Sequence, residues 1–147
     1  KLSVAIRFEW LDLKAIIVTK IMDNFLIISC TGENDKLGLR INKEFFIRNL
    51  VEKKNLNENL VEEISKFLKE YNANIDKTFS VVVNQGPGSF SGIRISLAIA
   101  KGLEISKKVK MFGYNSADLR VFDKKNVEKL INSNLIEKKL IKPIYLS

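Results

Sequence analysis

The chain has no histidine at all, a single cysteine, Cys30, and only two prolines among its 147 residues. Without histidine there is no Ser-His-Asp triad, no HExxH zinc chemistry and no Cys/His zinc cluster, and one thiol cannot close an internal disulfide. Carboxylates, hydroxyls and backbone amides are left as chemistry. Long apolar runs are also missing: the stretch Ala15-Ile16-Ile17-Val18 is far shorter than the roughly 20 residues of a membrane-spanning helix. A soluble protein is expected. No charged-then-apolar leader opens the chain, and a lone thiol suits a reducing compartment, so the cytoplasm is the expected location, with no membrane partner.

What is present points to one globular domain. Apolar residues make up 46% of the chain, and mean hydropathy is close to zero. A length of 147 residues suits a single core. Lys and Arg number 25 against 17 Asp and Glu, a net charge of +8. That surplus would steer a polyanion, and direct RNA binding would then be steeply salt-dependent. Yet the cations are mostly lysines spread as pairs, Lys53-Lys54, Lys107-Lys108, Lys124-Lys125 and Lys138-Lys139. Such spreading fits solvation better than a phosphate grip, which combines arginine with aromatics.

Residues 1–21 precede Met22 and read as an extension of doubtful status, either loosely attached or an extra element. Residues 22–147 read as the domain. FLIISC (25–30), KLGLRI (36–41) and residues 44–48 read as three adjacent antiparallel strands, the last two joined by the tight link Asn42-Lys43. Asn57 is a plausible cap for a helix to about Tyr71, with Leu60, Val61, Ile64, Phe67, Leu68 and Tyr71 on one face and Glu62, Glu63, Lys66 and Lys69 opposite. FSVVV (79–83) has the β-branched run of a strand covered on both sides. A Gly/Ser loop follows, then a helix from Ser89 or Ser91 to Ser106, a strand at 109–112, a short helix near Ser116, a helix over 125–131 and an extended piece at 140–147. The order βββαβαβ followed by helices predicts an α/β layer fold with a mixed sheet of about five strands flanked by helices.

The informative stretch is Asn84-Gln85-Gly86-Pro87-Gly88-Ser89-Phe90-Ser91-Gly92-Ile93-Arg94, where a buried strand gives way to a helix. A helix start offers unpaired amides, and glycines let a backbone come close to phosphate. Gly86, Gly88, Ser89 and Ser91 are therefore a candidate anion or nucleotide loop. The spacing matches neither the P-loop nor the dinucleotide fingerprint, which argues against independent nucleotide hydrolysis.

The helix after the loop is apolar nearly all round, as expected of one covered on more than one side. Gly92, Ser96 and Ala100 recur every four residues, and Ala98 with Gly102 forms a neighbouring row, so a second helix could approach closely. Ile93, Leu97, Ala100 and Leu103, with Ile64, Phe67 and Leu68 from the preceding helix, are candidate core or partner-interface positions. That second helix is the one over 57–71 in the same chain, a partner's, or both, with the two helices of this chain then forming a joint surface. Arg94 either orients the helix through a salt bridge or meets the partner.

QGPGSFSGIRISLAIAKGLE (85–104) resembles the hallmark stretch of the TsaB family, also called YeaZ, with a pattern close to GPGSFTG[LV]RIG[LIV]A-x-AKGL. Ser91 stands for Thr and Ser96 for Gly. Residues 26–31 (LIISCT) are similar to the family's LAIDTS, residues 113–119 (GYNSADL) to its G-V-S-S-L-x-A-L, and residues 143–146 (PIYL) to its P-x-Y-L-R. The resemblance implies an ASKHA (actin/Hsp70-like, RNase H-like) lobe in a single Gcp-like domain. It further implies a non-catalytic dimerization subunit that pairs with the larger paralogue TsaD through a helix bundle. In that complex TsaD, with the ATPase TsaE, transfers threonylcarbamoyl to adenosine 37 of ANN-decoding tRNAs. The implied partners are thus the TsaD paralogue directly, TsaE and tRNA through the complex, and a second copy when TsaD is absent. ATP or ADP enters only at the level of the complex, with no cofactor, metal site or catalytic residue in this chain. The alternative is a weakly nucleotide-binding or nucleotide-hydrolysing ASKHA protein that uses the glycine loop.

Two departures stand out. Ser29 occupies the place of the family's first-strand Asp, which removes a carboxylate that Mg-nucleotide chemistry needs. Only about 20 residues separate Leu119 from Leu140, where family members carry most of a second lobe. A shortened, one-lobe member is expected.

Overall fold

A computed structural model describes residues 23–50, 56–133, 136 and 141–144. Strands β1 (Phe25–Ser29), β2 (Lys36–Ile41) and β3 (Glu44–Asn49) are followed by helix α1 (Leu56–Glu70), strand β4 (Ser80–Asn84) and helix α2 (Phe90–Lys107). Strand β5 (Lys110–Tyr114), a 3-10 turn (Ser116–Asp118) and helix α3 (Lys124–Ile131) complete the described order. The five strands form one mixed sheet, β3-β2-β1-β4-β5. β1, β2 and β3 pair antiparallel, whereas β4 runs parallel to both β1 and β5. The expected α/β architecture is what forms, with each expected strand or helix inside the described residues within a residue or two of its place. Asn57 lies in the first turn of α1, not before it.

Strand position follows from side-chain chemistry. SVVVN in β4 is buried along its whole length, as a central parallel strand must be, and β3 at the edge alternates between exposed and half-buried residues. One face of the sheet joins Leu26, Ile28, Leu39, Val81 and Val83 to Leu60, Ile64 and Phe67 of α1 and Ile93 and Ala100 of α2. The other joins Phe25, Ile27, Val82 and Phe112 to Val127, Leu130 and Ile131 of α3. The Asp123 side chain caps α3 by accepting from the Asn126 N–H at 2.8 Å.

Two residues of α1 depart from their expected sides. Glu63, assigned to the solvent face by periodicity, is only 4% exposed, because the guanidinium of Arg48 on β3 donates to its carboxylate at 3.0 Å. Val61, assigned to the apolar face, is 62% exposed. Stacking of Phe46 on Tyr71, with centroids 3.8 Å apart, and the Arg48 pair together set the roll of α1 on the sheet, and that roll turns Val61 outward.

Candidate functional site

The glycine loop is closed by the chain itself. Ser89 N–H donates to Thr31 O at 2.6 Å, so the turn after β1 lies directly against the start of α2. A Cβ on Gly88 would fall 2.8 Å from the Thr31 carbonyl oxygen, and one on Gly92 would strike the Cys30 carbonyl oxygen. These two glycines let α2 seat on the end of β1. Of the other loop residues, Gly86 is buried, Ser89 is half-buried and Ser91 is exposed. Ser89 makes no side-chain cap for α2.

The two rows of small residues on α2 have different fates. Gly92, Ser96 and Ala100 are buried and face the sheet. Ser96 is accommodated there because its hydroxyl donates to Gly92 O at 2.7 Å, the backward bond a helical serine makes when no other acceptor is offered. Ala98 and Gly102 are exposed, and a Cβ added to Gly102 would meet nothing within 4 Å. Of the candidate interface positions, Ile93, Ala100, Ile64 and Phe67 lie in the chain's own core, Leu97 is 9% exposed at its margin, and Leu103 and Leu68 are half-buried against it. α1 therefore covers one side of α2. The outward side carries Ala98, Gly102, Ile105 (64% exposed) and Phe90 (54% exposed). The Arg94 guanidinium lies over the Phe90 ring, 4.5 Å from its centroid.

A polar cleft opens at the carboxyl ends of β1 and β4, where ligands of α/β sheets bind. Its volume is about 420 Å³, and Ser29, Thr31, Asn84 and Ser116 contribute polar groups, with Lys36 and Arg120 among its lining. Asn84 organises the floor. Its amide donates to Ser29 Oγ at 3.2 Å, and its carbonyl oxygen accepts from Gly86 N–H at 2.9 Å and from Ser116 Oγ at 2.8 Å. Tyr114 is buried beside Ser29 and Asn84 with its hydroxyl in no well-formed hydrogen bond, and burial pushes its pKa up. Burial likewise pushes the Cys30 thiol up to about 12. Among the described residues no three His, Cys, Asp or Glu side chains converge as a metal site. Ser29, noted from the sequence only as a missing carboxylate, is here one member of a neutral hydrogen-bonded set. Asn84, Gln85 and Ser116 escaped notice as site residues. Polar Asn-Gln closing an otherwise apolar strand was the available signal.

A family model described as "TsaD: tRNA N6-adenosine threonylcarbamoyltransferase" matches residues 50–130, more than half of the chain. The tRNA threonylcarbamoyladenosine biosynthesis protein TsaB of Buchnera aphidicola subsp. Schizaphis graminum is 27% identical over 118 residues, covering 75% of this chain and 56% of that protein. This chain belongs to the family, in its TsaB/YeaZ branch. YeaZ from Pseudomonas aeruginosa superposes with a TM-score of 0.58 at 18% identity, over 64% of this chain and 44% of that one. A structure described as an uncharacterized protein with similarity to peptidase YeaZ from Pseudomonas aeruginosa gives 0.57, again at 18%. The chain spans about half the length of these TsaB/YeaZ relatives. The shared fold is the YeaZ-like ASKHA lobe. No helix among the described residues is long and apolar enough to cross a membrane.

Proposed function

We propose that the chain is a non-catalytic subunit of a tRNA threonylcarbamoyladenosine-forming complex, acting as scaffold and activator by pairing with a TsaD paralogue through helix α2. The observation that carries this reading is the exposed row Ala98 and Gly102 on α2, flanked by Ile105 and Phe90. A small-residue row on a surface helix brings no packing benefit to the lone chain, and Gly102 costs helix stability there. It becomes useful when another helix lies along it, because the backbones can then approach closely. Family membership supports the biochemical setting, since the Buchnera relative is described as a threonylcarbamoyladenosine biosynthesis protein. In this reading transfer to adenosine 37 belongs to the paralogue, TsaE and tRNA join through the complex, and a second copy takes the α2 face when the paralogue is absent. Ser29 at the end of β1, hydrogen-bonded to an amide instead of presenting a carboxylate, supports a subunit without nucleotide hydrolysis of its own.

Co-expression with the TsaD paralogue of the same genome, followed by size-exclusion chromatography with light scattering, tests the pairing. A one-to-one complex is expected, and two separate peaks overturn it. Gly102→Phe places a ring in the groove a partner helix would use while meeting only open space in the lone chain. It is expected to weaken pairing by at least about tenfold, or about 1.4 kcal/mol, with the melting temperature of the isolated protein not lowered. Undiminished pairing in that variant removes α2 as the docking helix.

A further inference from the structure

Gln85 is a buried polar residue that the proposed docking does not use, at 2% exposure. It sits at the end of β4 with every hydrogen-bonding edge except its side-chain oxygen engaged. Its N–H donates to Tyr114 O at 2.9 Å, its carbonyl oxygen accepts from Ile144 N–H at 2.7 Å, and its side-chain Nε2 donates to Lys142 O at 2.9 Å. The last two bonds grip one short segment, residues 141–144, at two points two residues apart. That segment is anchored again at Ile141, which packs on the cluster containing α2. The Gln85 side chain fits because position 113 is glycine, where a Cβ would collide with the Gln85 amide.

The grip passes to the loop through Gly86. Its φ of +102° lies in the region glycine alone enters readily. A Cβ there would fall 2.8 Å from Ile144 O on one side and 2.8 Å from Ile93 Cδ1 on the other. The segment thus presses on Gly86, and Gly86 on the first turn of α2. Two hydrogen bonds from separate edges of one residue, over about 57 residues of chain, are more than a passing surface contact.

We propose that residues 141–144 form a strap that Gln85 holds in place, and that the strap seats the glycine loop and with it the first turn of α2. Gln85 is then a positioning residue. The readiness of the α2 face for a partner depends on whether the strap is fastened, a statement that rests on the docking reading above. Release of the strap leaves Gly86 to its bonds with Asn84 Oδ1 and the Ser116 N–H, and Ser89 to Thr31 O, so the platform under the exposed Phe90 and Arg94 loosens.

Amide hydrogen exchange on the full chain tests the strap without any partner. Ile144→Pro removes the N–H that Gln85 accepts, and Gln85→Ala removes the bond to Lys142 O. Each bond is worth a few-fold to about tenfold in a local opening equilibrium. In either variant exchange is expected to rise by about tenfold at Gly86, Ser89 and Ile93 while Ile27 and Val82 stay slow. In the double variant exchange is expected to rise at least as far as in the faster single one, because both bonds hold the same segment. Unchanged exchange at the loop in Ile144→Pro, or an equal rise throughout β1 and β4, overturns the strap. If Gln85→Ala does not fold, Ile144→Pro decides alone. In the co-expression assay, Ile144→Pro should weaken pairing in step with the rise in exchange, and full pairing despite a loosened loop separates the strap from docking. If the wild-type chain does not pair at all, the docking reading falls and the exchange data still decide the strap.

Discussion

Cys30 shows how one buried group makes stability depend on pH. Its thiol lies on the sheet face under α2 at 1% exposure, and burial raises its pKa to about 12 from an ordinary value of 9.0. Below pH 9 the folded and unfolded chains both keep the proton and stability is unaffected. Above it the unfolded chain releases the proton first, so stability falls by about 1.4 kcal/mol per pH unit on the way to the folded value. Denaturant melts of wild type and Cys30→Ala at pH 8 and pH 10.5 should therefore show the variant's deficit shrinking at the higher pH. The thiol should also resist alkylation at pH 8 until the protein unfolds. The cysteine was visible in the sequence. Its isolation was not, because that requires Gly92 to press α2 against the Cys30 carbonyl. Gln85 was hidden for the same reason: its partners Lys142 and Ile144 lie 57 and 59 positions away, and nothing local announces them.

At the scale of elements, α2 separates two uses of small residues that periodicity treats alike. Gly92, Ser96 and Ala100 face the sheet, and Ala98 and Gly102 face out. Since Gly102 has no neighbour within 4 Å of a Cβ, Gly102→Ala in the isolated chain should stabilise by about 0.5–1 kcal/mol through helix propensity, read as a higher denaturant midpoint with unchanged slope. Destabilisation would mean that the position is crowded in the lone chain. Helix and strand positions were legible from the apolar pattern, since β-branched FSVVV and the amphipathic run at 60–71 admit few alternatives. Which half of each helix faces the sheet was less legible. Val61 and Glu63 exchanged their expected environments because an edge-strand arginine, Arg48, outcompetes solvent for Glu63. The loop offered glycines that fit an anion equally well by sequence, and only the contacts to Thr31 and Cys30 show them spent on close packing.

Across the whole molecule, two apolar clusters share the strands that divide them. Phe67 belongs to one cluster and Leu130 to the other, and both rest on alternate residues of β1 and β4. Phe67→Ala, expected to cost about 3–5 kcal/mol, and Leu130→Ala, about 2–5 kcal/mol, should each lower one common unfolding transition. Far-ultraviolet dichroism and tyrosine absorbance should follow it together, since Tyr71 and Tyr114 pack in opposite clusters. Separate transitions for the two probes would mean that the faces are independent units.

The sheet order carries a consequence for how the chain reaches this state. β1, β2 and β3 meet their neighbours through short turns, whereas β1 and β4 pair residues that lie 55 positions apart in the chain. Local hairpins close in microseconds, and a distant parallel pairing must first overcome the entropy of a long loop. During synthesis the three-stranded meander emerges first, with the free edge of β1 open to any extended chain until β4 arrives. That interval is the moment of greatest exposure to mispairing, and α1, made between the two events, is the element placed to shorten it.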